Sequence, residues 1–354
     1  NRNTVQSGMA GIGTQNAYLS AGGVKNSEGS PSRSDETEKY DGASWSISAK
    51  MSIVNSEMAG FGTQNAAAVV GGNYDYDGTE IYNGSTFSDA GNMTHDRAHG
   101  GSAGTQNAGF VTAGTGPSPY PNLDTSENFN GDVWTEAAAL NTARSYPASA
   151  GTQNAALNTG GTSPSVVSLT ELWNGTSWSE TADMNTAKWG TAGIGTQNHF
   201  VAAGGATPTF TGITEEWNGT SWSEQNDFTT ARSQFAGSQG GLGTAGIIAG
   251  GQTTNAPNYL GSNSTEFWNA TSTVTGSFGR VEVTSLLGDG NDVSTAVFAG
   301  VGIVSSSAQL STSISGSFTS GFALQASPDD FYVGVSGSTY RTFFSGSGNV
   351  FTSS

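Results

Sequence analysis

The sequence predicts an all-β fold built from six copies of one four-stranded unit. A four-residue string, Gly-Thr-Gln-Asn, occurs five times, a degenerate Gly-Thr-Ala-Gly provides a sixth copy, and the copies begin 42 to 49 residues apart. No long stretch has helical periodicity, and glycine, with 52 residues, separates many short strand-like runs. A period in the forties made of strands is typical of β-propeller blades. The copies begin at Gly13, Gly62, Gly104, Gly151, Gly195 and Gly243.

The fourth copy shows the internal order that the others repeat. Small residues predict a first strand at 146–150, and the Gly-Thr-Gln-Asn turn leads to a second strand at 155–159. A third strand at 169–173 ends in an aromatic residue. Asn174-Gly175 then predicts a tight hairpin turn before a fourth strand at 177–180. We therefore expect each copy to form a four-stranded meander.

This order resembles the kelch repeat, which has a double glycine after strand two, aromatic residues on strands three and four, and a basic residue before the next blade. The double glycine is present at Gly22-Gly23, Gly71-Gly72, Gly160-Gly161, Gly204-Gly205 and Gly250-Gly251. The strand-three aromatics are Tyr40, Tyr82, Phe129, Trp173, Trp217 and Trp268, and the strand-four aromatics are Trp45, Phe87, Trp134, Trp178 and Trp222. The basic residues are Arg97, Arg144, Lys188 and Arg232, with Gln6 and Asn55 in the first two copies.

The resemblance implies a six-bladed kelch-like β-propeller over residues 1–275. The third copy departs from the pattern with Ala113-Gly114, and the sixth has Thr273-Val274 where an aromatic fourth strand is expected. We expect the recurring tryptophans to form the core between blades, and the basic residues to hydrogen-bond loop carbonyls. The predicted core tryptophans are Trp45, Trp134, Trp173, Trp178, Trp217 and Trp222.

The composition argues against several kinds of chemistry. The net charge of −17 disfavours a nucleic-acid partner, and no apolar run approaches the roughly 18 residues of a membrane helix. Without cysteine there are no disulfides or thiolate sites. Glu57 is the only charged residue on the predicted innermost strands, and His95 and His99 have no regular ligand spacing. We therefore predict no enzyme activity and no catalytic, cofactor-binding or metal-binding residues.

The connection between strands two and three differs in every copy, whereas the two tight turns are mostly kept. In a meander these connections emerge on one face of the disc, where recognition residues are usually placed. The alternative is that these loops only tolerate insertions and that the propeller is a spacer. The candidate recognition residues are Tyr74, Asp75, Tyr76, Asp77, Tyr120 and Tyr259.

A Gly/Ser-rich segment, residues 276–354, follows the repeats. Its strings at 276–283 and 305–322 are similar to segments of tail fibres and other virion proteins of marine tailed phages. The resemblance implies a non-enzymatic protein of the virion surface or a tail appendage. The propeller would then be a recognition or spacer head for a host glycan or protein. Residues 276–354, which have too few apolar residues for a core of their own, would attach it to other virion proteins or to copies of itself. The alternative is a secreted bacterial adhesin or extracellular glycan-binding protein.

Overall fold

The computed structural model describes residues 1–25, 32–73, 76–238, 241, 243–254 and 260–270, and six further short strands by their backbone. The chain forms two compact units, Asn1–Ala270 and Thr271–Ser354. The regular elements of the described residues are all β-strands, which confirms the all-β prediction. None of these residues belongs to a helix that is long and apolar enough to cross a membrane.

The strands of the first unit follow one another as antiparallel meanders. In chain order they are β1 (Gln6–Ser7), β2 (Ala10–Thr14), β3 (Ala17–Ala21), β4 (Val24–Lys25), β5 (Ser32–Arg33), β6 (Thr37–Tyr40), β7 (Trp45–Ile47), β8 (Ala59–Thr63), β9 (Ala66–Val70), β10 (Thr79–Tyr82), β11 (Phe87–Asp89), β12 (Gly101–Thr105), β13 (Ala108–Thr112), β14 (Ser126–Phe129), β15 (Trp134–Ala137), β16 (Ala148–Thr152), β17 (Ala155–Thr159), β18 (Thr170–Trp173), β19 (Trp178–Glu180), β20 (Ala192–Thr196), β21 (His199–Ala203), β22 (Ala206–Thr207), β23 (Thr209–Phe210), β24 (Thr214–Trp217), β25 (Trp222–Gln225), β26 (Ala236–Gly237), β27 (Ala245–Ala249) and β28 (Thr265–Asn269).

Five of the sheets have four strands each. They are β2-β3-β6-β7, β8-β9-β10-β11, β12-β13-β14-β15, β16-β17-β18-β19 and β20-β21-β24-β25, which we number one to five. A sixth sheet, β26-β27-β28, has three strands among the described residues, and the predicted fourth strand at Thr273-Val274 lies outside them. The short strands β1, β4 and β5, and the pair β22-β23, belong to the connecting segments.

The first strands of the six sheets contact one another in a closed order. Strand β2 contacts β8, and the series continues through β12, β16 and β20 to β26, which contacts β2 again. Where the unit closes, the Arg2 N–H donates to the Asn263 carbonyl at 2.9 Å, and Gln6 bridges to Ser262. This arrangement is compatible with a propeller-like fold.

In five of the six sheets, the glutamine of the repeated turn connects the sheet to the one before it. Gln64 Nε2 donates to the carbonyl oxygens of Tyr18 at 3.1 Å and Tyr40 at 2.7 Å, on the second and third strands of the first sheet. Four other copies of this glutamine each donate in the same way to two carbonyl oxygens of the preceding sheet. They are Gln15, Gln106, Gln153 and Gln197. The glutamine therefore recurs in the turn because its side chain bonds the preceding sheet, a role that was not predicted from the sequence.

The predicted position of the sixth copy of the turn, which began at Gly243, was wrong by two residues. Trp268 Nε1 donates to the Gly243 carbonyl at 3.0 Å, just as Trp217 Nε1 donates to the Gln197 carbonyl at 3.1 Å. Gly243 therefore occupies the glutamine position and not the position of the first glycine. A Cβ at Gly243 would lie 2.5 Å from the His199 carbonyl oxygen, so a side chain has no room there.

We predict that Gln153→Ala lowers the free energy of unfolding by about 1–3 kcal/mol, because the half-buried carbonyls of Gly109 and Phe129 lose their side-chain donor. Chemical denaturation measures the loss. As a matched control, Gln225→Ala removes a glutamine whose Nε2 bonds only the exposed Ser223 hydroxyl, and should change stability by less than about 0.5 kcal/mol. Equal effects of the two substitutions would contradict the proposed connection.

A buried cation pairs with the glutamate of the third strand in five sheets. Arg97 Nη2 lies 2.8 Å from Glu127 Oε1, and Arg97 Nη1 donates to the Ala113 and Thr125 carbonyls, as expected for the basic residue of the repeat. The five pairs are Arg2–Glu38, Arg97–Glu127, Arg144–Glu171, Lys188–Glu215 and Arg232–Glu266. The sequence analysis missed the glutamates, although a glutamate follows Thr or Ser near the start of the third strand in all six copies.

The second unit contains a short pair, β29 (Val297–Phe298) with β30 (Val301–Gly302), and a four-stranded antiparallel sheet. The sheet consists of β31 (Phe322–Ser327), β32 (Asp330–Val335), β33 (Arg341–Ser345) and β34 (Val350–Ser353). The predicted domain boundary after residue 275, the string at 276–283 and all but the last residue of the string at 305–322 lie outside the described residues.

Candidate recognition groove and channel mouth

Six residues, one before the first strand of each sheet, form a ring that we call the channel mouth. All six have a left-handed backbone, with φ between 53° and 63°. The N–H of each donates to the carbonyl of the preceding member at 2.7 to 3.1 Å, and the last member closes the ring on the first. The members are Gly8, Glu57, His99, Tyr146, Gly190 and Gln234.

The channel mouth brings three polar side chains together. His99 Nε2 lies 3.7 Å from Glu57 Oε2, and the His99 ring stacks on Tyr146 with 3.9 Å between centroids. A non-glycine residue in this backbone conformation costs about 1–2 kcal/mol, so the ring maintains a strained arrangement. These side chains line a cavity of about 100 Å³ on the axis of the sheets. Glu57 was predicted to be the only charged residue of the innermost strands, and its proximity to His99 was not predicted from the sequence.

Burial sets the charge of this pair. Burial raises the pKa of Glu57 to about 7 and lowers the pKa of His99 to about 3. Burial also raises the pKa of the Tyr146 hydroxyl, and the neighbouring Glu57 raises it further. At neutral pH His99 is therefore uncharged. The 3.7 Å contact between His99 and Glu57 thus does not place a cation beside the Glu57 carboxylate.

A second cavity of about 470 Å³, which we call the loop groove, lies beside the channel mouth. His99 and Tyr146 belong to both cavities. Most of the other lining residues of the loop groove come from connections between strands two and three of the first three sheets, and they include Arg33, Asn73, Tyr76, Tyr120 and Asn122.

The structure places the predicted recognition residues in different surroundings. Tyr76 and Tyr120 both line the loop groove. Asp77 does not line it, and its carboxylate accepts a hydrogen bond from Asn92 Nδ2 at 3.1 Å. Tyr74, Asp75 and Tyr259 lie outside the described residues.

Hydrogen bonds between loops fix the shape of the groove. Tyr120 has φ of 65° and remains 64% exposed, while its N–H donates to the Pro117 carbonyl at 2.9 Å. Asn122 Nδ2 donates to the Thr162 carbonyl of the next connection at 2.9 Å. On the opposite wall Arg33 Nη2 donates to the Asn73 carbonyl at 3.3 Å. The aromatic ring of Tyr120 is thus held at the surface by a loop bonded to itself and to its neighbour.

The two neighbouring histidines do not form one site. His95 lies 3.6 Å from Glu127 and 3.9 Å from Glu136, away from the channel mouth that contains His99. Across the part of the chain that the structure describes, no three His, Cys, Asp or Glu residues are grouped closely enough to hold a metal ion.

The predicted core tryptophans are buried with one exception. Trp134, Trp173, Trp178, Trp217 and Trp222 are each at most 8% exposed. Trp45 is half-buried and lines an open surface groove of about 480 Å³ with Tyr40 and Phe267.

No protein-family model matches the chain, and no curated protein sequence matches it.

Proposed function

We propose that this chain is a non-enzymatic recognition protein. A six-bladed kelch-like propeller, residues 1–275, presents the loop groove to a glycan or protein of a host cell surface. Residues 276–354 attach it to other virion proteins or to copies of itself. The observation that carries this proposal is the loop groove, which is lined by both Tyr76 and Tyr120 from the variable connections.

Two closed rings support six blades. The first strands contact one another in an unbroken series of six, and the six residues of the channel mouth form a cyclic set of hydrogen bonds. Each sheet would be one blade, and the fourth strand of the sixth blade would come from residues near Thr273-Val274. The glycine pairs and the paired aromatic rings at equivalent positions support the kelch-like assignment.

The properties of the loop groove favour recognition over a spacer role. A spacer needs no concave surface with a large aromatic ring held in solvent, and ordered loops on a rigid scaffold are a common recognition device. Tyrosine faces stack on the apolar faces of sugar rings, and amides such as Asn73 and Asn122 can bond hydroxyl groups. A glycan is therefore the ligand class that best fits this lining.

The same lining disfavours glycoside hydrolysis. That reaction ordinarily uses two carboxylates on opposite sides of the scissile bond. The residues described as lining the loop groove include no Asp or Glu, and Glu57 is the only acid among those lining the channel cavity. A binding role needs no such pair.

The C-terminal resemblance and the net charge support the proposed location on a virion surface or tail appendage. Segments similar to marine phage virion proteins favour the virion surface or a tail appendage. A net charge of −17 suits an exposed protein in salt water, where repulsion is screened. The loop groove would serve a secreted adhesin equally well. Capsid and tail genes beside this gene would favour the virion.

A glycan panel tests the groove directly. We expect Tyr120→Ala to lower the affinity for the glycan that the wild type binds most tightly by about tenfold or more, because an aromatic contact with the glycan is lost. Val133→Ala, which truncates a 51% exposed residue that does not line the groove, should bind like the wild type. Binding that is unchanged by Tyr120→Ala, or a wild type that binds neither a glycan nor host cells, would refute the proposal.

A further inference from the structure

Glu57 differs from the other glutamates that lie inside this fold. Five glutamates of the third strands have a buried cation beside them. The sixth, Glu80, accepts hydrogen bonds from the backbone N–H groups of Ser52 at 2.7 Å and Ile53 at 3.2 Å. Among the described residues, the Glu57 carboxylate has neither a buried cation nor a backbone N–H donor. The basic group that contacts it is the neutral His99, at 3.7 Å. An unpaired carboxylate in such a place costs free energy.

The backbone holds Glu57 in this position. Its φ of 60° is the conformation that glycine adopts at the equivalent positions Gly8 and Gly190. A Cβ on Gly8 would lie 2.3 Å from Glu57 Oε1, so the carboxylate occupies the space that a side chain at Gly8 would fill. The Glu57 side chain is 13% exposed and lines the channel cavity. The carboxylate is thus confined, lacks a charged partner and can be reached from the cavity.

We propose that the channel mouth binds an alkylammonium group, such as the tip of a lysine side chain of a partner protein, with Glu57 as its counter-ion. This site adjoins the loop groove, with which it shares His99 and Tyr146, but ammonium binding by Glu57 does not depend on glycan recognition.

The surroundings favour an ammonium over other cations. The Tyr146 ring, which stacks on His99, lines the same cavity as Glu57, so an aromatic side chain lies beside the carboxylate, and aromatic rings attract ammonium groups. The described lining offers one carboxylate and one imidazole, too few for the usual protein ligand set of a divalent metal. A cavity of about 100 Å³ admits an ammonium with a few methylene groups, since one water needs about 10–15 Å³.

The affinity of the channel mouth for an alkylammonium ion should rise with pH. Glu57, His99 and Tyr146 are the titratable groups at the channel mouth, and Glu57 is the one whose pKa, about 7, lies near neutrality. Because a raised carboxyl pKa means that the folded state holds a proton more tightly than the unfolded chain, stability falls as pH rises from about 4.5 to about 7. An ammonium competes with that proton, so it should bind better at pH 8 than at pH 5.5.

Calorimetric titration of the full chain with propylammonium chloride, against sodium chloride of equal ionic strength, tests the site. We expect wild-type affinity to be more than about tenfold higher at pH 8 than at pH 5.5. Glu57→Gln should weaken binding at pH 8 by at least about tenfold. Glu136→Gln, which removes the same charge from a 70% exposed side chain, should leave it unchanged. Equal binding by wild type and Glu57→Gln, or no binding beyond that of sodium, would overturn the proposal.

A second measurement needs no substitution at the site. The carboxyl pKa of Glu57 can be followed by carbon NMR on the selectively labelled wild type, and saturating propylammonium should lower it by about one unit or more. A pKa that stays the same with and without the amine would overturn the proposal even if Glu57→Gln failed to fold. Titration with N-acetyl-lysine amide then separates a protein lysine from a free amine, since a protein partner requires that this longer probe also binds.

Discussion

Replacing Arg144 with methionine is expected to lower the free energy of unfolding by about 3–5 kcal/mol. The substitution leaves the Glu171 carboxylate, which is 1% exposed, without the cation that contacts it. It also removes the donor to the Leu169 carbonyl at 2.8 Å. Glu171 would keep its hydrogen bonds from the N–H and Nδ2 of Asn141 and from the Thr142 N–H, but not its counter-charge. Equilibrium denaturation of the two proteins measures the difference.

A double substitution separates the lost pair from the lost packing. Arg144→Met combined with Glu171→Leu should recover most of the stability, because replacing a whole buried pair by apolar residues is often close to neutral. Lys50→Met is the matched control, since Lys50 is 62% exposed in its pair with Asp35 and such pairs contribute less than about 1 kcal/mol. If Arg144→Met changed stability no more than Lys50→Met, the buried pairs would not stabilise the sheets as described.

Truncation of Trp178 or Trp222 to alanine should each cost about 3–5 kcal/mol. Trp178 packs against Phe110 with 5.8 Å between ring centroids, and its Nε1 donates to the Ser126 hydroxyl of the neighbouring sheet at 3.2 Å. Trp222 meets Phe200 edge to face at 6.0 Å, and its Nε1 donates to the Ala182 carbonyl. Each substitution leaves a cavity between sheets and an unpaired polar group.

Calorimetry on the tryptophan variants decides between core and surface roles. Ile47→Ala, which truncates a 73% exposed side chain, should leave the melting temperature within a few degrees of the wild type. Melting of Trp178→Ala at the wild-type temperature would mean that these rings are exposed platforms.

Strand positions were predictable where turn residues bound the strand on both sides. The second strand of the fourth sheet lies at Ala155–Thr159, as predicted, because the hairpin turn precedes it and the double glycine follows it. The first strand was predicted at 146–150 and lies at Ala148–Thr152. The shift arises because Tyr146 has a left-handed backbone at the channel mouth, while the strand continues through Gly151 into the hairpin.

The functional site was predictable only in part. The variable connections predicted a recognition surface that includes Tyr76 and Tyr120, and both residues line the loop groove. The meeting of Glu57 with His99 depends on the closure of the ring, which places equivalent residues of successive copies side by side. The members of that ring share a backbone conformation and not a residue type, so a comparison of the copies by residue type does not reveal them.

Electron cryomicroscopy of the native assembly that contains this chain tests the recognition role most directly. We expect the face bearing the loop groove to be turned outward and open to solvent, and residues 276–354 to lie at the contact with the rest of the assembly. A reconstruction in which the loop groove is covered by a neighbouring subunit of the same assembly would contradict the recognition role, because a host ligand could not reach Tyr76 and Tyr120.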